Sequence, residues 1–517
     1  MTNAILRGKP DAGNPHVRFD EGEVASAKPR RGSLLYNSSR RDFLKGTAWM
    51  GAAALTAGCH LNRLGFGEGG IMQNYALRPF KRVRVGFIGI GGRGTGAVHR
   101  VAQIPGVDIV ALCDKNPARV ELNLKWLKER NYAGVDKIKT YVGDEGYKEL
   151  CDFGDCDVVY CATPWALHQP VALRGLLGGK IALVEVTAAL TTEECWELVE
   201  ASEKFRIPCM QLENCVYGEI ELLELNLARL GMFGEINHAE GAYIHDLREV
   251  IPSSAKYNGE AVWRYGENMV HKGNRYPTHG LVPICQTMGI NRGDRFDYLV
   301  SLENGPHNVN YEYFKKEFLT DADPRKKDPP AAMGDMNTTL IKTVNGKSIM
   351  VQHDVSSPRP YSRINLISGT KGIVRDYPFQ CAFEDKCFDR KAHAWFDEKK
   401  AAEVRAKYMH PLWRDVSEMA QKIGGHGGMD FIMDLRWAWC LQNGQPLDMD
   451  VYDLAATSCL CELTETSVRS GSKPVDVPDF TRGNWRNVEP WGVVNVDLKK
   501  MGLDKGAVTK DHAALNV

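Results

Sequence analysis

The chain has 517 residues, which is too long for one ordinary domain and indicates two or three. Its 65 lysines and arginines equal its 65 aspartates and glutamates, so the basic excess of a typical nucleic-acid-binding protein is absent, while 43% hydrophobic and 25% charged residues are ordinary for a globular chain. The 14 cysteines include no Cys-x2-Cys pair, which argues against a disulfide-stapled scaffold or a structural zinc site, and no stretch reaches the roughly 20 apolar residues that span a bilayer.

Residues 1–59 read as an export signal. The segment 39–45 (SRRDFLK) closely resembles a twin-arginine signal, and the uncharged segment 46–58 after it suits the core of a signal peptide, although a surface helix with a chance arginine pair would look the same. Cys59 ends a sequence similar to a lipoprotein cleavage site, so lipid anchoring at Cys59 stays open. We expect the twin-arginine machinery, which carries folded proteins, to export the chain to the periplasm.

A glycine-rich turn follows the first apolar segment. Residues 83–88 (VRVGFI) read as a buried strand, residues 89–94 (GIGGRG) match the G-x-G-x-x-G pattern, and residues 95–103 read as a helix. Glycines in this pattern allow the backbone to approach a pyrophosphate at the helix N-terminus.

An acidic residue ends the next strand. Residues 108–113 read as that strand, and Asp114 lies 25 positions after Gly89, where a carboxylate can bind the adenosine ribose hydroxyls and disfavour NADP. The pattern predicts that this domain binds NAD. The alternative is a Rossmann-like domain that has lost its ligand.

Strands and helices then alternate as far as residue 213. Strands are predicted at 157–164, 181–185 and 208–212, with one helix after residue 168 and another at 191–204. Such alternation implies a parallel, doubly wound sheet, and we place a Rossmann domain at 81–213. Ligands bind at the carboxyl ends of such strands. That edge would carry Gly91 to Arg93, Asp114, Trp165 to His168, Glu185 and Asn214.

The pattern changes after Asn214 to that of an α+β domain, placed at 214–471 and expected to bind substrate or to mediate oligomerisation. The predicted elements are a helix at 219–230, strands at 235–243, 296–302, 337–343, 348–354 and 363–368, and helices at 431–440 and 453–470. Residues 472–517 read as an irregular tail. The predicted fold is therefore α/β: an N-terminal Rossmann domain, then an α+β domain with a mostly antiparallel open sheet.

The motifs of the first domain resemble a known family. In order they are GIGGRG (89–94), ALCD (111–114), ATPWALH (162–168) and VEVTAAL (184–190), and this order resembles the Gfo/Idh/MocA oxidoreductases. Those enzymes usually carry Glu-Lys-Pro in the fourth motif, whose lysine helps proton transfer. Here Glu185, Val186 and Thr187 stand there, so the lysine is missing.

Motifs of the second domain narrow the resemblance. They are LENCVY (212–217), EGAYIHDL (240–247), YPTHG (276–280), PRPY (358–361) and GHGGMD (425–430). The whole set, from about residue 83 to about residue 471, is similar to glycoside hydrolase family 109, the NAD-dependent N-acetylhexosaminidases typified by α-N-acetylgalactosaminidase. This resemblance implies NAD contacts at Gly92, Arg93, Asp114, Trp165, Leu167, His168, Glu185, Val186, Asn214 and Tyr276. It implies sugar contacts at Tyr243, Arg264, Tyr276, Pro277, Thr278, His279 and Tyr361, with Tyr217 and His426 as further candidates.

The resemblance also implies a redox-neutral reaction. A hydride leaves C3 of the sugar for NAD, the resulting ketone acidifies the C2 proton, the enolate expels the group at C1, water adds, and the hydride returns to C3. NAD is regenerated in each turnover and can stay tightly bound. No metal is expected, because the C3 ketone acidifies the C2 proton.

His279 and Tyr276 are the pair that we expect to transfer protons. They are spaced i and i+3 in a turn-like segment, and a histidine has a suitable pKa near neutral pH, whereas a tyrosine with the ordinary pKa of about 10 is a poor base. The alternative is that Pro277 makes a turn and His279 bonds locally. Which of the two residues acts at C2 and which at C3 stays open.

The sequence therefore predicts an exported, NAD-dependent glycosidase for terminal N-acetylgalactosaminides, with the α anomer favoured. An NAD-dependent sugar dehydrogenase of the Gfo/Idh/MocA type is the alternative, and a sugar-binding protein without activity is a third. The anomer and the sugar stay open. Expected partners are a glycoside substrate and the export machinery, without nucleic acid or a transmembrane span, and an exposed sheet face would favour a homo-oligomer.

Overall fold

The computed structural model describes residues 70–248, 262–307, 331–384 and 393–503. The predicted signal region at 1–59, with Cys59, lies outside these ranges, so export and lipid anchoring stay predictions. Within the ranges, no helix is both long and apolar enough to cross a bilayer. The cysteines found there are buried free thiols, as expected of core positions.

Six strands form the first sheet. They are β1 (Val83–Ile88), β2 (Val107–Asp114), β3 (Lys139–Val142), β4 (Val158–Cys161), β5 (Ile181–Val184) and β6 (Cys209–Gln211). All their pairings are parallel, and their order is β3-β2-β1-β4-β5-β6. This is the order of a Rossmann fold, which binds a dinucleotide where the order reverses, beside the carboxyl ends of β1 and β4. The predicted Rossmann fold is confirmed.

Helices connect these strands as the parallel order requires. They are α1 (Gly92–Val101), α2 (Pro117–Glu129), α3 (Gly146–Asp152), α4 (His168–Leu177) and α5 (Thr192–Phe205). Local sequence explains where they begin: Asn116 caps α2, and Thr191 with Glu194 forms a capping box at α5. Residues of β4 and β5 are buried throughout, because helices cover both faces of a parallel sheet.

Eight strands form the second sheet. They are β7 (Ile236–Ile244), β8 (Phe296–Glu303), β9 (Asn337–Thr343), β10 (Ser348–Asp354), β11 (Leu366–Gly369), β12 (Gly372–Arg375), β13 (Gln380–Phe383) and β14 (Val475–Asp476). Their order is β13-β12-β11-β7-β10-β9-β8-β14, and only the β7–β10 pair among them is parallel. The predicted mostly antiparallel sheet is therefore confirmed.

Three helices follow the first sheet in the chain. Helix α6 (Glu219–Arg229) lies between β6 and β7 in sequence, and α7 (Val262–Val270) and α8 (Thr278–Met288) lie between β7 and β8. Two glycines allow α8 to contact β7 directly. A Cβ atom at Gly241 would lie 2.0 Å from the carbonyl oxygen of Gly280, so neither position has room for a side chain. This close approach brings the first turn of α8, with His279, against the strand that carries Tyr243.

The last α-helices of the described residues are α9 (Glu398–Tyr408), α10 (Pro411–Ile423), α11 (Met429–Asn443), α12 (Val451–Ser458) and α13 (Leu460–Arg469). Of these, α11 and α12 pack on the first domain, α13 packs on β8 of the second sheet, and α9 and α10 pack near α6. Helix α11 is buried along almost its whole length, and Arg100 of α1 donates to Asp434 of α11 at 2.8 Å. One continuous hydrophobic core joins both sheets, so the sites on the two domains are held in one frame.

The structure differs from the predicted elements in several places. Helices α2, α3, α7 and α8 and strands β3, β12 and β13 were not predicted, and the segment 276–280, which was read as a turn, lies at the start of α8. The helix predicted at 453–470 is two helices that meet at Cys459, and α9 and α10 were not predicted. The tail predicted as irregular contains β14, which pairs with β8 at the edge of the second sheet.

The outer face of the second sheet exposes large apolar side chains. Leu302 is 64% exposed and Leu340 is 55% exposed, and Leu340 lies in register between Val300 and Met350. Since a contiguous apolar surface of this kind is unfavourable in water, we expect a second copy of the chain to cover it.

Leu340→Glu places a charge in this face and should reduce the molar mass measured by light scattering to that of a monomer. The matched control is Leu122→Glu on α2, where the leucine is also 48% exposed but lies outside the sheet. A wild-type protein that is already monomeric would contradict the expectation.

Candidate active site

The glycine-rich turn lies at the carboxyl end of β1 as predicted. Gly89 has a φ of +79°, and α1 begins at Gly92 after Gly91, without a side-chain cap. A Cβ atom at Gly94 would lie 2.0 Å from the carbonyl oxygen of Gly89, so only glycine permits the turn to fold this closely onto the helix. The positive end of the α1 dipole faces the turn, which suits a pyrophosphate.

Asp114 ties the turn to the end of β2. Its carboxylate accepts hydrogen bonds from the backbone N–H of Ile90 at 2.9 Å and of Asn116 at 2.8 Å. The carboxylate is thereby held beside the turn, where the ribose of a dinucleotide would lie. The turn, the helix terminus and this acid together fit NAD.

Arg93 and Asp430 form the centre of a polar network at this edge. Arg93 donates to Glu185 at 2.6 Å and to Asp430 at 2.6 Å. Asp430 also accepts from Asn214 at 2.6 Å and lies 2.9 Å from Nδ1 of His426. Burial would raise the pKa of Asp430, but its arginine neighbours, Arg93 first, hold that pKa well below its ordinary value. Two predicted NAD residues, Arg93 and Asn214, are thus held by one carboxylate that was not among the predicted site residues.

The loops after β4 and β5 are held together by two ring systems. Trp165 donates its indole N–H to the carbonyl of Val186 at 3.1 Å. The ring nitrogens of His168 lie 2.7 Å from the carbonyl oxygen of Thr187 and 2.6 Å from that of Thr163. His168 therefore lies between the two loops, with one ring nitrogen beside a backbone carbonyl of each. Leu167 is exposed at the same place, and the NAD contacts of these residues stay predictions.

A cluster of aromatic side chains adjoins this rim. Trp165, Val186, Tyr243 and Tyr276 pack in one buried cluster, which is separate from the main core. The rings of Trp165 and Tyr276 stack with centroids 5.4 Å apart, and those of Tyr243 and Tyr276 lie 4.8 Å apart. The guanidinium of Arg264 lies over Trp165 and Tyr276 at 5.2 and 5.4 Å. Aromatic faces and a cation of this kind suit a sugar ring with polar substituents.

His279 lies in the first turn of α8 and is oriented by a buried carboxylate. Its Nδ1 lies 2.7 Å from Glu213, and its Nε2 lies 3.3 Å from the hydroxyl of Tyr276. Burial lowers the pKa of His279, although Glu213 opposes the effect. Burial would raise the pKa of Glu213, but its contact with His279 and the backbone N–H of Cys215 brings that pKa below its ordinary value. The pair is thus a neutral imidazole beside a carboxylate at neutral pH.

The remaining predicted sugar residues lie around this pair, apart from Tyr217. Pro277 and Thr278 begin α8, and Tyr361 lies 6.3 Å from Tyr243 between ring centroids. The prediction that Tyr217 contacts the sugar is wrong. Tyr217 is fully buried and its hydroxyl donates to Asp448 in the core at 2.8 Å, so it does not face the site.

Two histidines border the site as well. His426 is 53% exposed on a run of five residues with positive φ, 424–428. His245 packs between Tyr243 and Tyr361 at 4.8 and 5.0 Å, and burial lowers its pKa to about 4. The GHGGMD motif had indicated His426 as a candidate. Glu213 and His245 also lie in motifs of the family resemblance, but neither was predicted as a site residue.

One group of possible metal ligands occurs within the described part of the chain. Glu213, Cys215 and His279 bring ligand atoms within 4.8 Å of one another. The same three residues are joined by hydrogen bonds, because Glu213 contacts both Nδ1 of His279 and the backbone N–H of Cys215. The expected absence of a metal stays a prediction.

Comparisons with known proteins identify both domains of the chain. Residues 83–210 match the model of the oxidoreductase family with an NAD-binding Rossmann fold, and residues 217–487 match the model of the glycosyl hydrolase 109 C-terminal domain. Glycosyl hydrolase family 109 protein 1 of Bacteroides thetaiotaomicron is 46% identical over 426 residues, covering 79% of this chain and 86% of that protein. The family 109 protein of Solibacter usitatus is 42% identical, covering 88% and 99%.

Solved structures show the same fold at lower identity. An oxidoreductase domain protein from Kribbella flavida superposes with a TM-score of 0.59 at 16% identity, covering 77% of this chain and all of that one. Levoglucosan dehydrogenase in complex with NADH and levoglucosan gives a TM-score of 0.56 at 18% identity over the same shares. The predicted family resemblance and fold class are confirmed by these matches.

Gly94→Ala tests the cofactor turn. The added Cβ collides with the Gly89 carbonyl, so we expect NADH affinity, measured by fluorescence titration, to fall at least about tenfold. Gly96→Ala on the same helix is the matched control, because its Cβ meets only the flexible end of Arg100 at 3.2 Å. Equal NADH affinity in both variants would place the cofactor elsewhere.

Proposed function

The chain belongs to glycosyl hydrolase family 109, and on that premise we propose that it is an exported glycosidase that hydrolyses terminal N-acetylgalactosaminides, with preference for the α anomer. The observation that carries the proposal is the His279–Glu213 pair, which lies beside the aromatic cluster at the rim of the first sheet. The proposal is supported because this arrangement puts the expected proton-transfer pair next to an aromatic surface and next to the residues expected to hold NAD.

Bound NAD would supply the hydride acceptor at C3 of the sugar and return the hydride in the last step. The chain's own groups must then move protons. The C3 hydroxyl loses its proton as the C3–H bond breaks, the C2 proton leaves next, and the C1–O bond breaks as the enolate collapses. Water then adds to C1, a proton returns to C2, and O3 regains its proton when the hydride returns to C3, so that hydrolysis is the net reaction.

The orientation of His279 suits the removal of these protons. The carboxylate of Glu213 accepts the Nδ1 proton, which leaves the lone pair of Nε2 directed at the Tyr276 hydroxyl. Since burial raises the pKa of Tyr276 well above its ordinary value, Tyr276 acts by relaying a proton to His279 or by donating a hydrogen bond. Either residue can serve the proton at C2, with the other serving the proton at C3.

The leaving oxygen at C1 needs a proton of its own. His426 is suited to supply it, since Asp430 holds its Nδ1 at 2.9 Å while the ring is half exposed at the edge of the site. The Gfo/Idh/MocA lysine has no counterpart, since Val186 is buried and apolar.

Glu213→Gln tests the orientation of His279. Without the carboxylate the catalytic tautomer is no longer favoured, and we expect kcat to fall by about 10²–10⁴ with little change in fold. In the wild type the pKa of His279 is lowered, so activity should persist at pH 7 and decline as pH falls through a value below 6.5. Glu240→Gln, on the outer face of β7, is the control and should retain wild-type kcat.

The function itself is tested with the nitrophenyl α-N-acetylgalactosaminide and protein purified without added NAD, while absorbance at 340 nm is followed. We expect nitrophenol release without net NADH accumulation. Accumulation of NADH from free sugars, without nitrophenol release, would instead support the alternative sugar dehydrogenase. If the protein hydrolyses no N-acetylhexosaminide of the α or β, galacto or gluco configuration, a binding protein without activity is favoured.

Export by the twin-arginine route to the periplasm, with a lipid at Cys59 as the open alternative, completes the proposal. It rests on the sequence at 39–59 alone. Fractionation of cells that express the wild type and the Arg40→Lys, Arg41→Lys variant tests it, since the variant should remain in the cytoplasm.

A further inference from the structure

Asp430 is a buried carboxylate in the first turn of α11, and both of its oxygens are hydrogen bonded. Its side chain is 2% exposed. Oδ1 accepts a hydrogen bond from Nδ2 of Asn214 at 2.6 Å. Oδ2 accepts one from Nη1 of Arg93 at 2.6 Å and lies 2.9 Å from Nδ1 of His426. A carboxylate so deeply buried needs charged and polar partners of this kind, because its removal from water is otherwise unfavourable.

The three partners of Asp430 belong to different parts of the site. Arg93 and Asn214 are the cofactor-binding residues among them by expectation, whereas His426 is the proposed proton donor to the leaving oxygen. Arg93 and His426 contact the same oxygen atom, and Nη1 of Arg93 lies 3.4 Å from Nδ1 of His426. Since an ionised carboxylate only accepts hydrogen bonds, Nδ1 of His426 carries its hydrogen and donates it to Asp430. Nε2 is then the ring nitrogen that can give a proton to the leaving oxygen.

The backbone of segment 424–428 folds onto the same carboxylate. All five residues have positive φ, and His426, with a φ of +45°, is the one that is not a glycine. A Cβ atom at Gly425 would lie 2.6 Å from both Cβ and Oδ2 of Asp430, so only glycine allows the backbone to pass there. Because a left-handed backbone is unfavourable for a histidine, the hydrogen bond to Asp430 helps to hold the ring of His426 in this place.

We propose that Asp430 is a positioning residue that holds the cofactor-binding residues and the leaving-group acid His426 in one arrangement. It acts through these side chains, because they already occupy both of its oxygens. The inference rests on the proposed function for the role of His426, but its effect on cofactor binding does not depend on turnover.

Asp430→Asn tests both effects with two glycosides and NAD in excess. The nitrophenyl α-N-acetylgalactosaminide has a leaving group that departs without a proton, whereas the methyl glycoside needs one. A neutral amide holds His426 less well, so the ratio of kcat for the nitrophenyl glycoside to kcat for the methyl glycoside should rise about 10²-fold. The NADH affinity, measured by fluorescence titration, should fall about tenfold, because Arg93 and Asn214 lose their charged acceptor.

Asp434→Asn is the matched control, one turn further along α11. Asp434 is fully buried and accepts a hydrogen bond from Nε of Arg100 at 2.8 Å, so its replacement also removes a buried charge beside an arginine. Its other partners include Tyr160 and Trp437, which lie in the core. Asp434→Asn should therefore lower the melting temperature while the kcat ratio and the NADH affinity stay at their wild-type values.

A double-mutant cycle shows whether Asp430 acts on the leaving group through His426. His426→Gln alone should raise the kcat ratio about 10²-fold and leave the NADH affinity unchanged. The variant that combines Asp430→Asn with His426→Gln should raise the ratio no further than His426→Gln does, because both changes remove one function. If the two changes multiply each other's effect on the ratio, Asp430 does not act through His426 and the proposal is wrong.

Gly425→Ala disturbs the same contact without removing a charge. Its Cβ would displace the carboxylate of Asp430, so the kcat ratio should rise at least about tenfold. Gly427→Ala is the matched control, since Gly427 also has a positive φ of +68° but its Cβ would have no described atom within 4 Å. It should keep the ratio within about twofold of the wild type. Thermal melting checks that each variant is folded, and if Asp430→Asn does not fold, this pair of glycine variants decides.

Failure of the proposed function and failure of this inference give different results. If no glycoside is hydrolysed but Asp430→Asn weakens NADH binding and Asp434→Asn does not, the proposed function fails and the role of Asp430 at the cofactor-binding residues stands. If hydrolysis proceeds and Asp430→Asn leaves either the kcat ratio or the NADH affinity unchanged, the proposed function stands and this inference fails.

Discussion

The hydrogen bond between Glu213 and His279 is the contact on which the rest of the site depends. Glu213 closely follows β6 of the first sheet, and His279 begins α8 of the second domain, so a single bond of 2.7 Å joins the two halves of the molecule at the chemistry. The close approach of Gly241 and Gly280 sets the distance between α8 and β7. Without that approach, His279 would not meet Glu213, Tyr276 and Tyr243 together.

A second carboxylate organises the cofactor side in the same way. Asp430 lies at the start of α11, 337 residues after Arg93 in sequence, and it connects Arg93, Asn214 and His426. Helix α11 is therefore more than packing for the first sheet, because its Asp430 completes the rim. Two buried acids, one in each domain, thus hold the groups that face the cofactor and the groups that face the sugar.

Local patterns predicted most of the fold. Strands β9 and β10 were predicted with their observed ends, because alternation and a glycine turn define a hairpin locally. Helix α9 was missed because only Ala401 and Val404 are buried in it, so its apolar period is weak. Helix α10 has a clear apolar period (Leu412, Val416, Met419, Ala420, Ile423) and could have been predicted.

Contacts between segments that are distant in sequence could not be predicted from residue spacing. Tyr276 and His279 are three residues apart and were found together, whereas Glu213 lies 66 residues from His279 and its role depends on the tertiary fold. Tyr217 was misplaced for the same reason, since a tyrosine in a site motif can equally face the core, as its bond to Asp448 shows.

The most direct test of the redox-neutral account is the isotope content of the sugar released in D₂O. If a proton leaves C2 and a hydride leaves and returns at C3, mass spectrometry and NMR of the product will show deuterium at C2 and the original hydrogen at C3. A product without deuterium at C2 would show direct displacement at C1, and the roles assigned to His279 and Glu213 would be wrong.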